Sequence, residues 1–449
     1  MYPNLYYVFK DWFGVEWGGL SFLNTFGLMV AVAFLVAAIV LSSELKRKEK
    51  LGLLFPREET ITVGQPASIA DILINAFTGF VFGYKLVGLF FNKPPDVTAQ
   101  EYIFSMEGNM IGGLLAAVVL GGFKWWDKNK QKLKTPEKRS VRIWPHDRVG
   151  DIIILGLIFG ILGAKLFDNL EHWDDFINDP IGSIFSPSGL TFYGGLILAT
   201  IAIAWYSVKK GISIRHLADS VAPALMIAYA VGRIGCQVSG DGDWGIFNSA
   251  YTSDEFGNTQ AAKSGDYDKK IAKYSPYFLN GELLHSGGQP ITDSAGRQQY
   301  VTDRTYSSPA SIPHKSFRGP SFLPDWFFAY SYPNNVNKDG ILIPGNKEEH
   351  NRVLPAPVFP TPLYETILCT ILFLVLWSLR KRITTPLVIS GLYLALNGTE
   401  RFFIEKIRVN KTYPFLGFDS TQSEIIALGL IICGIFLIIY AKSRKVNPD

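Results

Sequence analysis

Of 449 residues, 48% are apolar and 14% aromatic, and only 18% carry a charge. That balance excludes most soluble folds and suits a polytopic membrane protein. A formal net charge of +4 is small, and its distribution matters more; no nucleic-acid partner is expected.

Met1 to Gly19 mixes aromatics with charges of both signs and has neither a basic leader nor a small-residue cleavage site, so the segment is expected to be retained. Nine apolar segments follow, at 20–42, 67–92, 108–126, 148–168, 189–207, 215–235, 360–380, 386–404 and 421–441. A bilayer crossing takes roughly 20 residues, and these segments match that length. Lys and Arg are retained on the cytoplasmic side. Residues 43–66 hold five of them, 124–148 hold nine and Val208–Arg215 holds three; Arg380 to Arg382 are all basic, and the tail has Lys442, Arg444 and Lys445. These stretches all fall on one face. On the other, 93–107 has only Lys93, and 169–188 has none but carries Glu171, Asp174, Asp175 and Asp179. The expectation is an all-α polytopic membrane protein of about nine transmembrane helices, N-terminus outside and C-terminus inside.

Asp71 to Lys85 matches Asp151 to Lys165 at an offset of 80, and Gly112-Gly113 answers Gly194-Gly195 at 82. A two-helix hairpin, 67–126 and again 148–207, is read as duplicated in parallel, unlike the inverted halves common in transporters. Residues 1–236 then hold helices 1–6 and 359–449 hold helices 7–9. Between them, 237–358 is rich in Ser, Gly, Asp, Asn, Tyr and Pro, which suggests a partly ordered extracytoplasmic head. Its aromatic run from Phe322 through Trp326, Phe327 and Phe328 to Tyr330 fits either a membrane-interface contact or a small core within the head.

The stretch from Gly232 to Gly245 has five glycines in fourteen residues and follows an apolar run. Glycine lets the backbone turn sharply and approach a ligand, and Arg233 offers a planar fork of donors that fits a phosphate. A helix C-terminus would also favour Arg and Gly. Ionisable residues in or beside apolar segments are costly and usually paired; here they are Lys85, Lys165, Arg233, Asp241, Asp243, Glu365, Glu400, Arg401, Glu405, Lys406 and Arg408. On a helix Arg401, Glu405 and Arg408 stand at i, i+4 and i+7 on one face. That spacing suits either a surface ladder of ion pairs or an anion site. Glu365 follows Pro360-Thr-Pro-Leu-Tyr at a helix start, where capping alone is a sufficient reason for an acid, and Lys165 fits a snorkelling side chain. Around Tyr193-Gly194-Gly195, small residues allow close approach of a helix or a lipid, and the phenol adds a hydrogen-bonding group. Three cysteines, Cys369 and Cys433 in apolar runs and Cys236 at a boundary, form neither a disulfide framework nor a zinc cluster. No metal or cofactor is expected.

Thr191 to Ile197, Gly232-Arg-Ile-Gly235 with the run ending at Gly245, Pro360 to Glu365, and Gly391 through Glu400-Arg-Phe-Phe-Ile-Glu405 to Arg408 occur in the order and spacing of prolipoprotein diacylglyceryl transferases. The chain resembles that family over 20–42 and 148–441, apart from most of the outer loop. The resemblance implies a seven-helix core, to which the first hairpin and the enlarged loop are additions, in a multi-pass protein of the bacterial inner membrane. Its site would face the outer leaflet and move the diacylglyceryl group of phosphatidylglycerol to the lipobox cysteine of a prolipoprotein, giving a thioether and glycerol phosphate. Arg233 resembles the phosphatidylglycerol-binding arginine, with Gly232, Gly235 and Gly245 its neighbouring glycines. Arg401, Glu405 and Arg408 match the charged helix, and Glu365 the acid of the Leu-Tyr-Glu motif. Tyr193 stands where many members have a histidine, Cys236 replaces an asparagine, Asp241 a glutamate and Phe26 a tyrosine.

A thiol is a few per cent ionised at neutral pH, so the greater demand is on the departing phosphate. Arg233 with Arg401 or Arg408 would stabilise its charge, and Glu405 would orient the arginines. Asp241 or Glu365 would accept the thiol proton, while Tyr193, Gly194 and Gly195 would meet the lipid. Rival readings are a phospholipid transporter or flippase that uses the same arginines, and a catalytically silent relative that binds lipoproteins.

Overall fold

A computed structural model describes residues 1–94, 102–103, 105–185, 191–280, 285–286, 289–290, 306–410, 412–415 and 418–443. Parts of the loops expected at 93–107 and 169–188, of the head between 281 and 305, and Arg444 and Lys445 of the tail lie outside these residues. The principal helices are α1 (Leu5–Phe13), α2 (Thr25–Lys50), α3 (Ile69–Phe91), α4 (Met110–Lys130), α5 (Val149–Glu171), α6 (Phe192–Lys210), α7 (Ile214–Ser239), α8 (Thr361–Leu379), α9 (Val388–Glu405) and α10 (Gln422–Ser443). Helices α2 to α10 follow the nine apolar segments to within a few residues, except that α2 runs on to Lys50. There an Arg47 to Glu44 ion pair at 2.6 Å, one turn apart, supports the polar extension.

Among the described residues, seven helices are long and apolar enough to cross a membrane: α2, α3, α4, α5 with the turn before it, α7, α8 and α10. The remaining two apolar segments form α6, of 19 residues, and α9, of 18. Helix α9 carries Glu400, Arg401 and Glu405, which lowers its hydropathy at the position the site requires.

The chain packs as two units, Leu41–Leu217 and Met1–Val40 with Ala218–Asp449. In the first of these, the two helices of each hairpin meet through glycine. A Cβ at Gly79 would lie 2.5 Å from the Ala116 carbonyl oxygen, and one at Gly83 would strike that of Gly112. In the second hairpin, Gly163 faces the Gly194 carbonyl in the same way, and a Cβ at Gly195 would lie 2.7 Å from that of Gly160. Only the absence of a side chain allows backbones so close. At the basic ends the expected loops instead form an antiparallel ribbon of β1 (Arg57–Val63) and β2 (Glu137–Ile143), in register from Arg57 opposite Ile143 to Val63 opposite Glu137. Thr60-Ile-Thr-Val63 and Val141 to Ile143 supply the β-branched residues that favour it.

In the other unit, α9 and α10 cross on small residues. A Cβ at Gly398 would lie 2.7 Å from the Ala427 carbonyl, and one at Gly434 would lie 2.6 Å from that of Gly391. Helix α9 begins at Leu387 with φ +72°, an unusual conformation for a branched side chain. The buried Asp219 carboxylate of α7 fixes it, accepting from Leu387 N and Ser390 N at 2.8 Å and from Ser390 Oγ at 2.7 Å. An acid from a neighbouring helix thus caps the orphan amides. The described residues between 240 and 360 form short strands and helices around a core of Trp244, Phe247, Phe278, Ile312, Tyr332 and Val358. In the aromatic run, Phe328 is buried against Tyr251 and Tyr330 packs on the main cluster, as a core within the head requires, while Phe322 and Trp326 are exposed.

Candidate active site

Three elements carry the charged groups together. Helix α7 ends in Gly232-Arg233-Ile-Gly-Cys236 and turns at Gly240 and Gly242, both at positive φ. Helix α8 starts at Thr361-Pro362, where proline loses no hydrogen bond, and presents Glu365 one turn later. Helix α9 stops at Glu405, so Arg408 does not continue the expected helical ladder. The chain instead leaves the helix and bridges to Gly245, with Ile246 N donating to the Ile407 carbonyl at 2.8 Å. A Cβ at Gly245 would lie 2.5 Å from that carbonyl oxygen, so glycine at 245 permits the crossing that sets Arg408 beside the loop.

Glu365, with no exposed side-chain surface, is the hub. Arg401 Nη1 lies 3.0 Å from Oε1, Arg408 Nη1 3.6 Å from Oε1 and Arg233 Nε 3.1 Å from Oε2. Tyr229, one turn before Arg233, donates its hydroxyl to Oε1 at 2.8 Å, and the Arg233 guanidinium lies over its ring at 5.2 Å. Three cations around one acid repel each other, by about 4 kcal/mol per pair at 4 Å in surroundings of effective dielectric near 20. Two further acids balance them. Asp243 bridges Arg233 Nη1 and Arg408 Nη2. Glu405 faces Arg401 Nη2 at 3.3 Å and accepts from Thr421 Oγ1 at 2.9 Å. Among the described residues, Arg233 Nε and Arg408 Nη1 make no hydrogen bond of good geometry, and neither oxygen of the buried Glu400 has a partner.

Burial alone would raise the Asp243 carboxyl, but Arg233 and Arg408 outweigh it and hold it at about 2. Burial pushes the Asp241 carboxyl above its usual range, partly offset by the Cys236 thiol. Asp241 Oδ1 accepts weakly from Asp243 N at 3.4 Å. Cys236, Asp241 and Asp243 bring potential cation ligands within 4.8 Å, the one such group of three among the described residues. The two oxygens of Asp243 already answer guanidinium groups.

The structure thus brings Arg233, Glu365, Arg401, Glu405 and Arg408 together, with Asp241 on the adjoining loop. Gly232 lies beside Arg233 with open space where a side chain would point, whereas Gly235 packs on Met29 and Phe26 of α2. Tyr193, Gly194 and Gly195 belong to α6 in the other unit, where Gly194 and Gly195 serve the contact with α5. Sequence reasoning missed Tyr229 and Asp219 and gave Asp243 no role. Tyr229 was findable, because it sits four residues before Arg233 on one helical face; Asp219 is an acid inside an apolar segment; and nothing distinguished Asp243 from Asp241.

The family model for prolipoprotein diacylglyceryl transferase matches residues 125–440. The chain belongs to the prolipoprotein diacylglyceryl transferase family. Residues 1–124, with α3 and most of α4, lie outside the match. Several proteins called phosphatidylglycerol--prolipoprotein diacylglyceryl transferase are similar to it. One from Leptospira interrogans is 32% identical over 118 residues, covering 21% of this chain and 37% of the relative, so that match spans little more than a third of the relative's length. A Xylella fastidiosa transferase is 22% identical over 323 residues, covering 70% of this chain and 82% of its own. One from Chlorobaculum tepidum is 25% identical over 306 residues, covering 65% and 73%.

Proposed function

We propose that this chain transfers the diacylglyceryl group of phosphatidylglycerol to the thiol of a prolipoprotein's lipobox cysteine. The observation that carries this reading is the meeting of Arg233 of α7 with Arg401 and Arg408, from α9 and the turn after it, around Glu365 of α8. The cysteine sulfur attacks the glycerol carbon next to the phosphate ester; the S–C bond forms as the C–O bond breaks. The electron pair passes to the phosphate oxygen, and glycerol phosphate leaves. Charge grows on that phosphate in the transition state, where prepositioned guanidinium groups stabilise it most. Arg233 and Arg408 hold the phosphate, Arg401 supports them from the Glu365 side, and Glu405 keeps Arg401 in place. Asp241 is the better acceptor for the thiol proton, because burial raises its proton affinity, whereas Glu365 is already engaged by arginines. Tyr193 hydrogen-bonds a lipid oxygen at the start of α6.

The same proposal includes nine crossings, counting α6 and α9, with the site facing the outer leaflet of a bacterial inner membrane and residues 237–358 as an external head. The charge asymmetry of the loops supports the orientation. The first hairpin is proposed to be a copy of the second, supported by the equivalent approaches of Gly83 to Gly112 and Gly163 to Gly194.

The test incubates the purified protein with phosphatidylglycerol and a synthetic lipobox peptide and weighs the peptide. The expected result is a gain of one diacylglyceryl group with release of glycerol phosphate; an unchanged peptide mass contradicts the reading.

A further inference from the structure

The arginine cluster holds two kinds of acid. Glu365 lies behind the guanidinium groups with no exposed side-chain surface, whereas the Asp243 side chain is 35% exposed and covers Arg233 and Arg408, which are 13% and 10% exposed. Asp243 therefore stands on the side from which a ligand arrives. Its two oxygens each take one guanidinium, Arg233 Nη1 and Arg408 Nη2, as two oxygens of a phosphate would. Its backbone is held in place. Thr361 Oγ1 donates to its carbonyl at 2.7 Å, and the next residue, Trp244, is buried in the head's core. Gly242 before it adopts φ +93°. The side chain can swing away while the main chain stays.

We propose that the Asp243 carboxylate is a built-in occupant of the phosphate subsite, exchanged for the lipid phosphate on binding and returning to expel glycerol phosphate after transfer. This rests on the reading of Arg233 and Arg408 as phosphate ligands. Three arginines that stabilise a departing phosphate would also retain it as product. A tethered carboxylate competes at a high effective concentration without leaving the protein. The exchange is between anions, so the site never presents bare guanidinium groups. The groups facing Asp243 are Arg233, Cys236, Asp241 and Arg408; Glu365 faces the same arginines from behind. Asp243 is accordingly a positioning residue that acts through the arginines.

The test measures glycerol phosphate binding to the full-length protein in detergent, together with its inhibition of diacylglyceryl transfer to the lipobox peptide. Asp243→Asn and Asp243→Ser are compared with wild type and with the charge-preserving Asp243→Glu. Removing the tethered anion should tighten glycerol phosphate binding by about tenfold, within the usual range of coupling between competing ligands, and strengthen product inhibition while lowering turnover. Asp243→Glu should remain near wild type. Weaker or unchanged glycerol phosphate binding in Asn and Ser variants would overturn the proposal, leaving Asp243 as a structural clamp. So would failure of both to fold while Asp243→Glu folds. Wild-type protein that binds no glycerol phosphate would overturn the underlying reading as well.

Discussion

Glu365 faces three guanidinium groups and a phenol from a position without solvent, at the centre of the cluster. Replacing one partner of a buried ion pair leaves the others unmatched and typically costs about 3–5 kcal/mol. Glu365→Gln, which keeps the volume, is therefore expected to lower thermal stability by several degrees in detergent; an unchanged melting curve would mean the arginines find water instead. Asp243 sets a pH window. Its carboxyl is depressed from 3.8 to about 2, so its contribution to stability is fully present above pH 4 and lost as pH falls through 2. The stability difference between wild type and Asp243→Asn is expected to be flat from pH 5 to 8 and to shrink below pH 4 in denaturation measured across that range. At this scale the outlying Arg233 and the i, i+4 pair of Arg401 and Glu405 were legible in the sequence, whereas Arg408 leaves the helix and does not complete the expected ladder. The convergence on Glu365 was not legible, because it depends on where α7, α8 and α9 cross. Asp219 went unnoticed for the same reason: its partners are the amides of Leu387 and Ser390, far along the chain.

Helices divide the glycines into two groups with opposite expectations. At Gly245 and Gly398 a Cβ would collide with a carbonyl oxygen, and overpacking of that kind costs about 1–3 kcal/mol or more. Gly398→Leu is expected to separate α9 from α10, lowering stability and displacing Arg401 so that transfer falls with it. Gly232 meets nothing within 4 Å, and Ala is favoured over Gly in a helix by about 1 kcal/mol. Gly232→Ala should thus preserve or raise the melting temperature, and a loss of transfer activity in that folded variant would assign the open space to the lipid. Segment positions were legible because apolar runs and their bounding charges follow directly from the cost of polar groups in hydrocarbon. The ribbon of β1 and β2 was hidden by its own charges: Arg, Lys and Glu crowd a stretch whose strand signal is only a few β-branched residues. The end of α9 at Glu405 was likewise hidden, since the bridge from Arg408 to Gly245 is a contact between distant segments.

At the scale of the molecule, the proposed orientation follows from the basic loops alone. Cysteine replacements at Lys134 in the basic stretch and Asn258 in the head, in a background with Cys236, Cys369 and Cys433 changed to serine, test it with a membrane-impermeant maleimide. Position 258 should react in intact spheroplasts and position 134 only after permeabilisation; the reverse pattern would put the arginines on the cytoplasmic side. The family match from 125 to 440 covers every residue of the arginine cluster, while the first hairpin lies almost wholly outside it, in keeping with an addition to a catalytic core. The claim on which the function depends is that Arg233 and Arg408, supported by Arg401, act on one phosphate. Transfer of diacylglyceryl to a lipobox peptide, followed by mass, for Arg233→Ala, Arg401→Ala and Arg408→Ala tests it most directly. Loss of a charge-assisted contact to the departing group should slow transfer by about 100-fold or more in folded Arg233→Ala and Arg408→Ala protein, with a smaller loss in Arg401→Ala, whereas wild-type transfer by either of the first two would contradict the shared site.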